Sequence, residues 1–339
     1  MTDSITELTL RAAAQLYTDR PLRPPFDPEL APAARAMSAG MPRAMDIGAP
    51  ALRALFTSVL PPDVADPDLT LGGRVAVARH LATGPDGDPP VALIVQTPTT
   101  GDGPWPLIYH VHGGGMIMGT ATLGIGDVAP YVAEGLAVVA SVEYRLAPEH
   151  PDPAPIEDCY AGLRWIADHA EELGVDPDRV TVYGDSAGGG LAAGLAILAR
   201  DRGRPAISHQ VLLSPMLDDR MITPSSRMLA GDGPWDRLDN LWAWTALLGE
   251  RRGGSDVSRY AAPARATDLA GLPRTYIDCG STETFRDEIL DYAGRLSAAG
   301  VVVDLHMWGG GFHGFDHVPS ALSVASKTAR DLFLRRALA

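Results

Sequence analysis

The chain has 339 residues, 46% of them hydrophobic, which suits one large α/β domain carrying an accessory part. Its formal net charge of −14 at pH 7 argues against nucleic acid or an anionic membrane surface as partner, and mildly against strongly anionic substrates. Two cysteines, Cys159 and Cys279, cannot build a disulfide framework and read as buried thiols; no apolar run approaches the roughly 18 residues that span a bilayer.

The stretch Met1 to Glu7 has no basic start followed by an apolar segment, so no secretory leader is expected and the cytoplasm is the expected compartment. Residues 1–60 combine an amphipathic stretch, Ile5 to Tyr17, with a proline-rich connector from Pro21 to Pro32 and a helical stretch near Ala51 to Val59. Two readings stand for this region: a solvated decoration, or part of a lid over an active site. Residues 61–339 read as the catalytic domain. Strand-like runs come in order at Val75 to Ala78, Val91 to Gln96, Leu107 to Val111 and Ala137 to Val142. The spacing then predicts a helix over 155–173, opened by Pro155 and closed by Gly174. After it come a strand at Arg179 to Tyr183, a helix at Leu191 to Arg200, and runs at Gln210 to Leu213, Thr275 to Asp278 and Val301 to Met307. A last helix is expected over 320–338. This alternation predicts an α/β fold with a mostly parallel sheet covered on both faces. Residues 215–255 interrupt it with Met216, Met221, Met228, Trp235, Leu241, Trp242 and Trp244. An insertion there would sit over the strand C-terminal ends, where open α/β sheets bind ligands. Trp242 is accordingly a candidate pocket residue, although core packing of a helix accounts for Trp242 and Trp244 equally well.

Three motifs carry chemistry. Tyr183-Gly-Asp-Ser-Ala-Gly-Gly-Gly190 joins a β-branched strand to an Ala/Leu-rich helix. Such a tight turn leaves no room for side chains beside it, which Gly184 and Gly188 satisfy, and it presents the Ser186 hydroxyl as a nucleophile. The helix that follows aims free N–H groups at the same point, where negative charge would develop. His112-Gly-Gly-Gly115 follows an apolar strand, and the amides of Gly113, Gly114 and Ala187 together make a three-donor oxyanion hole. His112 itself reads as structural. Ser186 needs an imidazole to accept its proton, and His313, in Gly311-Phe-His-Gly-Phe315 after the last strand, is the best placed of nine histidines. His306 falls inside a strand, and His317 reads as a bystander. The acid belongs in the loop after the penultimate strand. Asp278 reads as still within that strand and Asp287 as the opening of a helix, so Glu283 is the first candidate and Asp287 the second. Asp185, Met116 and Phe312 flank these motifs as candidate substrate contacts.

With these residues in hand, the chain resembles the hormone-sensitive-lipase-like branch of the α/β-hydrolase esterases. The resemblance is carried by His112-Gly-Gly-Gly115, Tyr144-Arg-Leu-Ala-Pro-Glu149, Gly184-Asp-Ser-Ala-Gly-Gly189, Phe285-Arg-Asp-Glu288 and Gly311-Phe-His-Gly-Phe315, across residues 75–339. It implies an α/β-hydrolase fold with an eight-stranded sheet and a helical cap built from the N-terminal segment and residues 215–255. It also implies hydrolysis of short- to medium-chain carboxylic esters with no cofactor and no metal, and a homodimer paired through the sheet edge. The family usually carries Asp-Pro-Leu-x-Asp where this chain has Glu283-Thr-Phe-Arg-Asp287, so by position Glu283 stands in place of the aspartate. Met116 stands where relatives often place an aromatic. Arg145 and Glu149 are expected in buried polar contacts rather than in catalysis. Lactone or amide hydrolysis or acyl transfer on the same triad remains open, as does a binding protein that keeps the fold without the chemistry.

Overall fold

The computed structural model describes residues 2–40, 42–85 and 87–339. Among them, eight strands form one sheet in the order β1-β2-β4-β3-β5-β6-β7-β8. They span Val75–Ala82 (β1), Val91–Pro98 (β2), Trp105–Val111 (β3), Val138–Glu143 (β4), Val175–Asp185 (β5), His209–Leu213 (β6), Arg274–Gly280 (β7) and Val303–Trp308 (β8). β2 runs against both of its neighbours, and every pairing from β4 through β3 to β8 is parallel. The helices are α1 Thr2–Leu16, α2 Ala31–Gly40, α3 Ala44–Val59, α4 Pro62–Ala65, α5 Ala129–Ala133, α6 Ala154–Asp168, α7 Ala170–Leu173, α8 Ala187–Arg202, α9 Ser225–Met228, α10 Arg237–Leu248, α11 Arg286–Ala298 and α12 Ala321–Leu338. None is long and apolar enough to cross a membrane among the described residues.

The sheet is covered on both sides because its central strands are apolar on both sides. Leu107, Tyr109 and Val111 of β3 join α6 and α8 in one apolar cluster. Ile108, between them in sequence, joins Val132 of α5 and Phe333 and Leu334 of α12 in the other. Successive strand side chains point to opposite faces, so a near-continuous apolar run demands helices on each. At the far edge, β8 leaves Leu305 and Met307 exposed.

The helix expected over 155–173 is broken at His169 (φ −115°, ψ 20°) into α6 and α7. There the His169 ring stacks on Trp165 at 4.1 Å, and its Nδ1 donates to the Trp165 carbonyl at 2.8 Å, competing for a helical acceptor. α8 begins at Ala187, four residues earlier than its Leu191 start in the sequence reading, so the glycines read as a turn form the first helical turn.

The N-terminal helices are joined to residues 215–255. α1 and α3 both pack against α10. The Tyr17 hydroxyl donates to the Arg237 carbonyl at 2.6 Å, and the Arg237 guanidinium lies 4.6 Å over the Tyr17 ring. In the proline connector, Arg23 pairs with Asp232 at 2.7 Å. The Asp27 amide donates to the Gly310 carbonyl at 3.0 Å, beside the loop of His313.

Candidate active site

Ser186 sits between β5 and α8 with φ 57° and ψ −120°, a conformation that costs a non-glycine residue about 1–3 kcal/mol. Three backbone bonds hold it there. Its amide donates to Leu213 at 2.8 Å, and its carbonyl accepts from Gly190 and Met216, each at 3.0 Å. The turn also needs backbone to touch backbone. A Cβ on Gly184 would stand 2.1 Å from the Gly188 carbonyl oxygen, and one on Gly188 would stand 2.1 Å from that of Val111.

His313, on the loop after β8, brings Nε2 to 2.9 Å from Ser186 Oγ. Its Nδ1 lies 3.0 Å from Glu283 Oε2. Glu283 is completely buried on the loop after β7, and its Oε1 accepts from the Phe285 amide at 3.1 Å. Since a carboxylate accepts, Nδ1 carries the proton and Nε2 turns its lone pair to the hydroxyl. Burial pulls the imidazole pKa down, but the charge and hydrogen bond of Glu283, helped by Asp185 and Asp316, leave it above its ordinary value. Asp287 lies elsewhere: it opens α11, accepts from the Ser225 amide at 2.8 Å and pairs with Arg286 at 2.7 Å.

The glycine loop lies against the serine. A Cβ on Gly113 would be 3.5 Å from that of Ser186, and Gly114 turns the chain at φ 107°. Among the described residues, the amides of Gly113, Gly114 and Ala187 donate to no backbone acceptor. His112 anchors this loop. Its ring stacks on Tyr144 at 4.1 Å and its Nδ1 donates to the Gly113 carbonyl at 2.8 Å, while the Tyr144 hydroxyl donates to the His112 carbonyl at 2.8 Å. Burial pushes the His112 pKa down to about 4, so the ring is neutral at pH 7.

A family model described as the alpha/beta hydrolase fold matches residues 108–317, more than half of the chain. Carboxylesterase NlhH of Mycobacterium tuberculosis is 36% identical over 270 residues, 77% of this chain and 82% of that one. The chain belongs to the hormone-sensitive-lipase-like branch of the α/β hydrolases. This α/β hydrolase is also similar to Esterase LipI of Mycobacterium tuberculosis, 39% identical over 201 residues, a match spanning 59% of the chain and 62% of the relative. A solved structure described as Bacterial Heroin Esterase superimposes with a TM-score of 0.86 at 41% identity, covering 93% of this chain and 98% of that one.

The other expected contacts of this hydrolase spread out. Met116 is buried beside α8, its Cε 3.8 Å from where a Cβ on Gly190 would be. Asp185 is partly buried behind Gly113, and desolvation pushes its carboxyl up to about 6 against the opposing pull of His313 and His317. Phe312 turns away, fully buried with Leu30, Ala34 and Phe315, its ring edge-on to Phe26 at 5.9 Å. It therefore anchors the N-terminal connector. Trp242 is fully buried within the apolar cluster around α10, the packing alternative of the sequence reading. Arg145 bridges buried Asp158 at 2.8 Å and Asp88 at 2.9 Å. Glu149 is less buried than expected, its side chain 42% exposed beside Arg53.

Two residues near the site were not singled out from sequence. Trp235 lies 6.3 Å from the His313 ring and packs on Gly115. Its only sequence signal was membership of the Met/Trp-rich insertion. Arg53 of α3 donates to the Ile117 carbonyl at 2.6 Å and the Ala147 carbonyl at 2.7 Å, tying the N-terminal region to the glycine loop. Nothing in its local sequence points there.

Proposed function

We propose that this α/β hydrolase is a serine carboxylesterase acting on short- to medium-chain carboxylic esters through an acyl-enzyme. The observation that carries this is the continuous chain from Ser186 Oγ through His313 to buried Glu283, with links of 2.9 and 3.0 Å. The esterase activity of the relatives supports the same reading.

Ser186 Oγ attacks the ester carbonyl carbon as His313 Nε2 takes its proton, and Glu283 stabilises the imidazolium. The carbonyl oxygen becomes an oxyanion facing the amides of Gly113, Gly114 and Ala187, which are fixed before reaction and need no reorganisation. As the carbonyl re-forms, the bond to the alkoxy oxygen breaks and His313 returns the proton to the departing alcohol. Water then attacks the acyl-enzyme by the same route, releasing the acid and restoring Ser186. The N-terminal helices and residues 215–255 act together as a cap over this site, a role their mutual packing supports. The cytoplasm is the proposed compartment, supported by the two free thiols, both buried.

The test is turnover of p-nitrophenyl esters from acetate to decanoate. Ser186→Ala should abolish hydrolysis at every chain length, with an unchanged circular-dichroism spectrum. Activity surviving that substitution sinks the assignment. Lactone, amide and acyl-transfer reactions would use the same residues, and relative turnover on those substrates ranks them.

A further inference from the structure

The insertion brings one aromatic side chain against both halves of the proposed machinery. Trp235, 8% exposed, precedes α10. Its six-membered ring meets the third glycine of the oxyanion loop so closely that a Cβ on Gly115 would stand 2.6 Å from Cη2 and 3.2 Å from Cζ2. Its ring centroid is 6.3 Å from that of His313, with the planes tilted by 38°. The Trp235 carbonyl accepts from Thr284 Oγ1 at 2.7 Å, one residue past Glu283. Asp236, next in the chain, caps α10 by accepting from the amides of Leu238 and Asp239 at 2.7 and 3.1 Å. The ring is thus held by the acid loop on one side and the helix start on the other.

The tetrahedral carbon carries four groups: the serine oxygen, the oxyanion, the alkoxy oxygen and the acyl carbon. The oxyanion faces the glycine loop and the alkoxy oxygen faces His313. A ring that borders both the loop and the imidazole lies beside the alkoxy oxygen and the carbons behind it. The acyl carbon points away from that pair. The ring also brings a donor. Nε1 and Cζ2 share a bonded ring carbon, so the N–H leaves the ring close to the edge that faces Gly115. Among the described residues this nitrogen is buried without a hydrogen-bond partner. A buried unpaired donor favours any ligand that supplies an acceptor. The indole nitrogens of Trp242 and Trp244 are also unpaired, but both rings are wholly enclosed in the core, beyond reach of a substrate.

We propose that Trp235 determines specificity for the alcohol portion of the ester. Its ring limits branching at the carbon next to the alkoxy oxygen, and its N–H takes an acceptor atom carried two or three bonds beyond that oxygen. The favoured class is esters of unbranched alcohols bearing an ether or ester acceptor near the scissile bond. This rests on the serine-esterase reading above.

The test measures kcat/KM on acetates of 1-butanol, 2-butanol and 2-methoxyethanol, and on ethyl esters from acetate to octanoate. Butyl and 2-methoxyethyl acetates have nearly the same shape and differ in one acceptor oxygen. Trp235→Phe, which keeps an aromatic ring and drops the N–H, should lower the methoxyethyl-to-butyl ratio about tenfold. Trp235→Ala should raise the 2-butyl-to-1-butyl ratio by about tenfold or more. Neither variant should move the acyl-length profile. Ratios taken within one variant do not depend on the active fraction, so the phenylalanine variant carries the test if the alanine variant folds poorly. An unmoved methoxyethyl-to-butyl ratio in Trp235→Phe, or a shift in the acyl profile in place of the alcohol ratios, overturns the proposal. Ser186→Ala run alongside separates the two failures. If it still hydrolyses the acetates, the esterase reading fails; if it is inactive while the Trp235 ratios stay fixed, only the role of Trp235 fails.

Discussion

Replacing Glu283 by glutamine keeps the side chain's size and removes its charge. In the native site this completely buried carboxylate accepts the Nδ1 proton of His313 at 3.0 Å. The amide presents either a neutral oxygen, which holds the imidazole but does not stabilise its charged form, or an NH2 group, which selects the wrong tautomer. Loss of an orienting carboxylate in a serine triad costs about 10³–10⁴ in kcat, or roughly 4–5.5 kcal/mol of barrier. A second effect has the opposite sign on the pH axis. Burial opposes the charged imidazole, and Glu283 is the largest influence raising its pKa. In the proposed mechanism His313 accepts a proton only when neutral, so the native acid limb of kcat/KM is expected above the ordinary histidine range. Without the carboxylate, burial meets weaker opposition and the limb moves to lower pH, even as the plateau falls. The assay is kcat/KM against pH for p-nitrophenyl butyrate, with native enzyme, Glu283→Gln and Asp287→Asn. Asp287 binds Ser225 and Arg286, so its variant should keep both the position of the limb and most of the rate. A Glu283→Gln profile that falls without moving, or an Asp287→Asn loss as large as that of Glu283→Gln, would refute the assignment.

Four further outcomes are expected. Gly188→Ala would place a methyl 2.1 Å from the Val111 carbonyl oxygen and 2.4 Å from that of His112, forcing β3 and α8 apart at a cost of about 3 kcal/mol or more in denaturant melts. Gly294→Ala in α11, where the added carbon meets nothing within 4 Å, should be neutral or slightly stabilising in the same melts, and equal losses at both sites would contradict the packing. Asp278 is raised to about 7 by burial, with Asp316 adding to the effect against Arg330, Trp308 and Tyr276. Its native form holds the proton more tightly than its unfolded form, so its contribution is full below about pH 4 and is lost as pH rises through 7. Asp278→Asn should therefore gain stability relative to the native chain between pH 4 and 8, and a pH-independent difference would count against that linkage. Arg53→Ala leaves the carbonyls of Ile117 and Ala147 without their guanidinium partner, so about 1–3 kcal/mol of stability and part of kcat should go with it. Unchanged turnover would detach the N-terminal region from the site.

The hydrogen-bonded chain of Ser186, His313 and Glu283 was legible because each residue sits in a motif whose local chemistry is self-sufficient. A glycine-bracketed serine between strand and helix, and a glycine-flanked histidine after the last strand, need no tertiary knowledge to be noticed. Glu283 followed by elimination, since Asp278 belongs to β7 and Asp287 opens α11, as the structure has it. What stayed hidden depends on which distant segments meet. Trp235 and Trp242 look alike in sequence, yet one borders His313 and the other fills the core beside α10. Only the register of the insertion against the sheet separates them. Phe312 neighbours His313 in sequence, but its ring is claimed by Leu30 and Ala34 from the far end of the chain. The early start of α8 was missed for a local reason: Gly188 to Gly190 look like helix breakers, and the tight contacts that require them are invisible without β3 and the segment after β6.

Ser186 Oγ is the proposed attacking atom. Incubating the purified chain with a fluorophosphonate and measuring intact mass, followed by peptide mapping, tests it most directly. The expected result is one adduct per chain on the peptide carrying Ser186, with loss of esterase activity in step and no labelling of Ser186→Ala. An adduct on another residue, or full labelling of Ser186 with esterase activity intact, would contradict it.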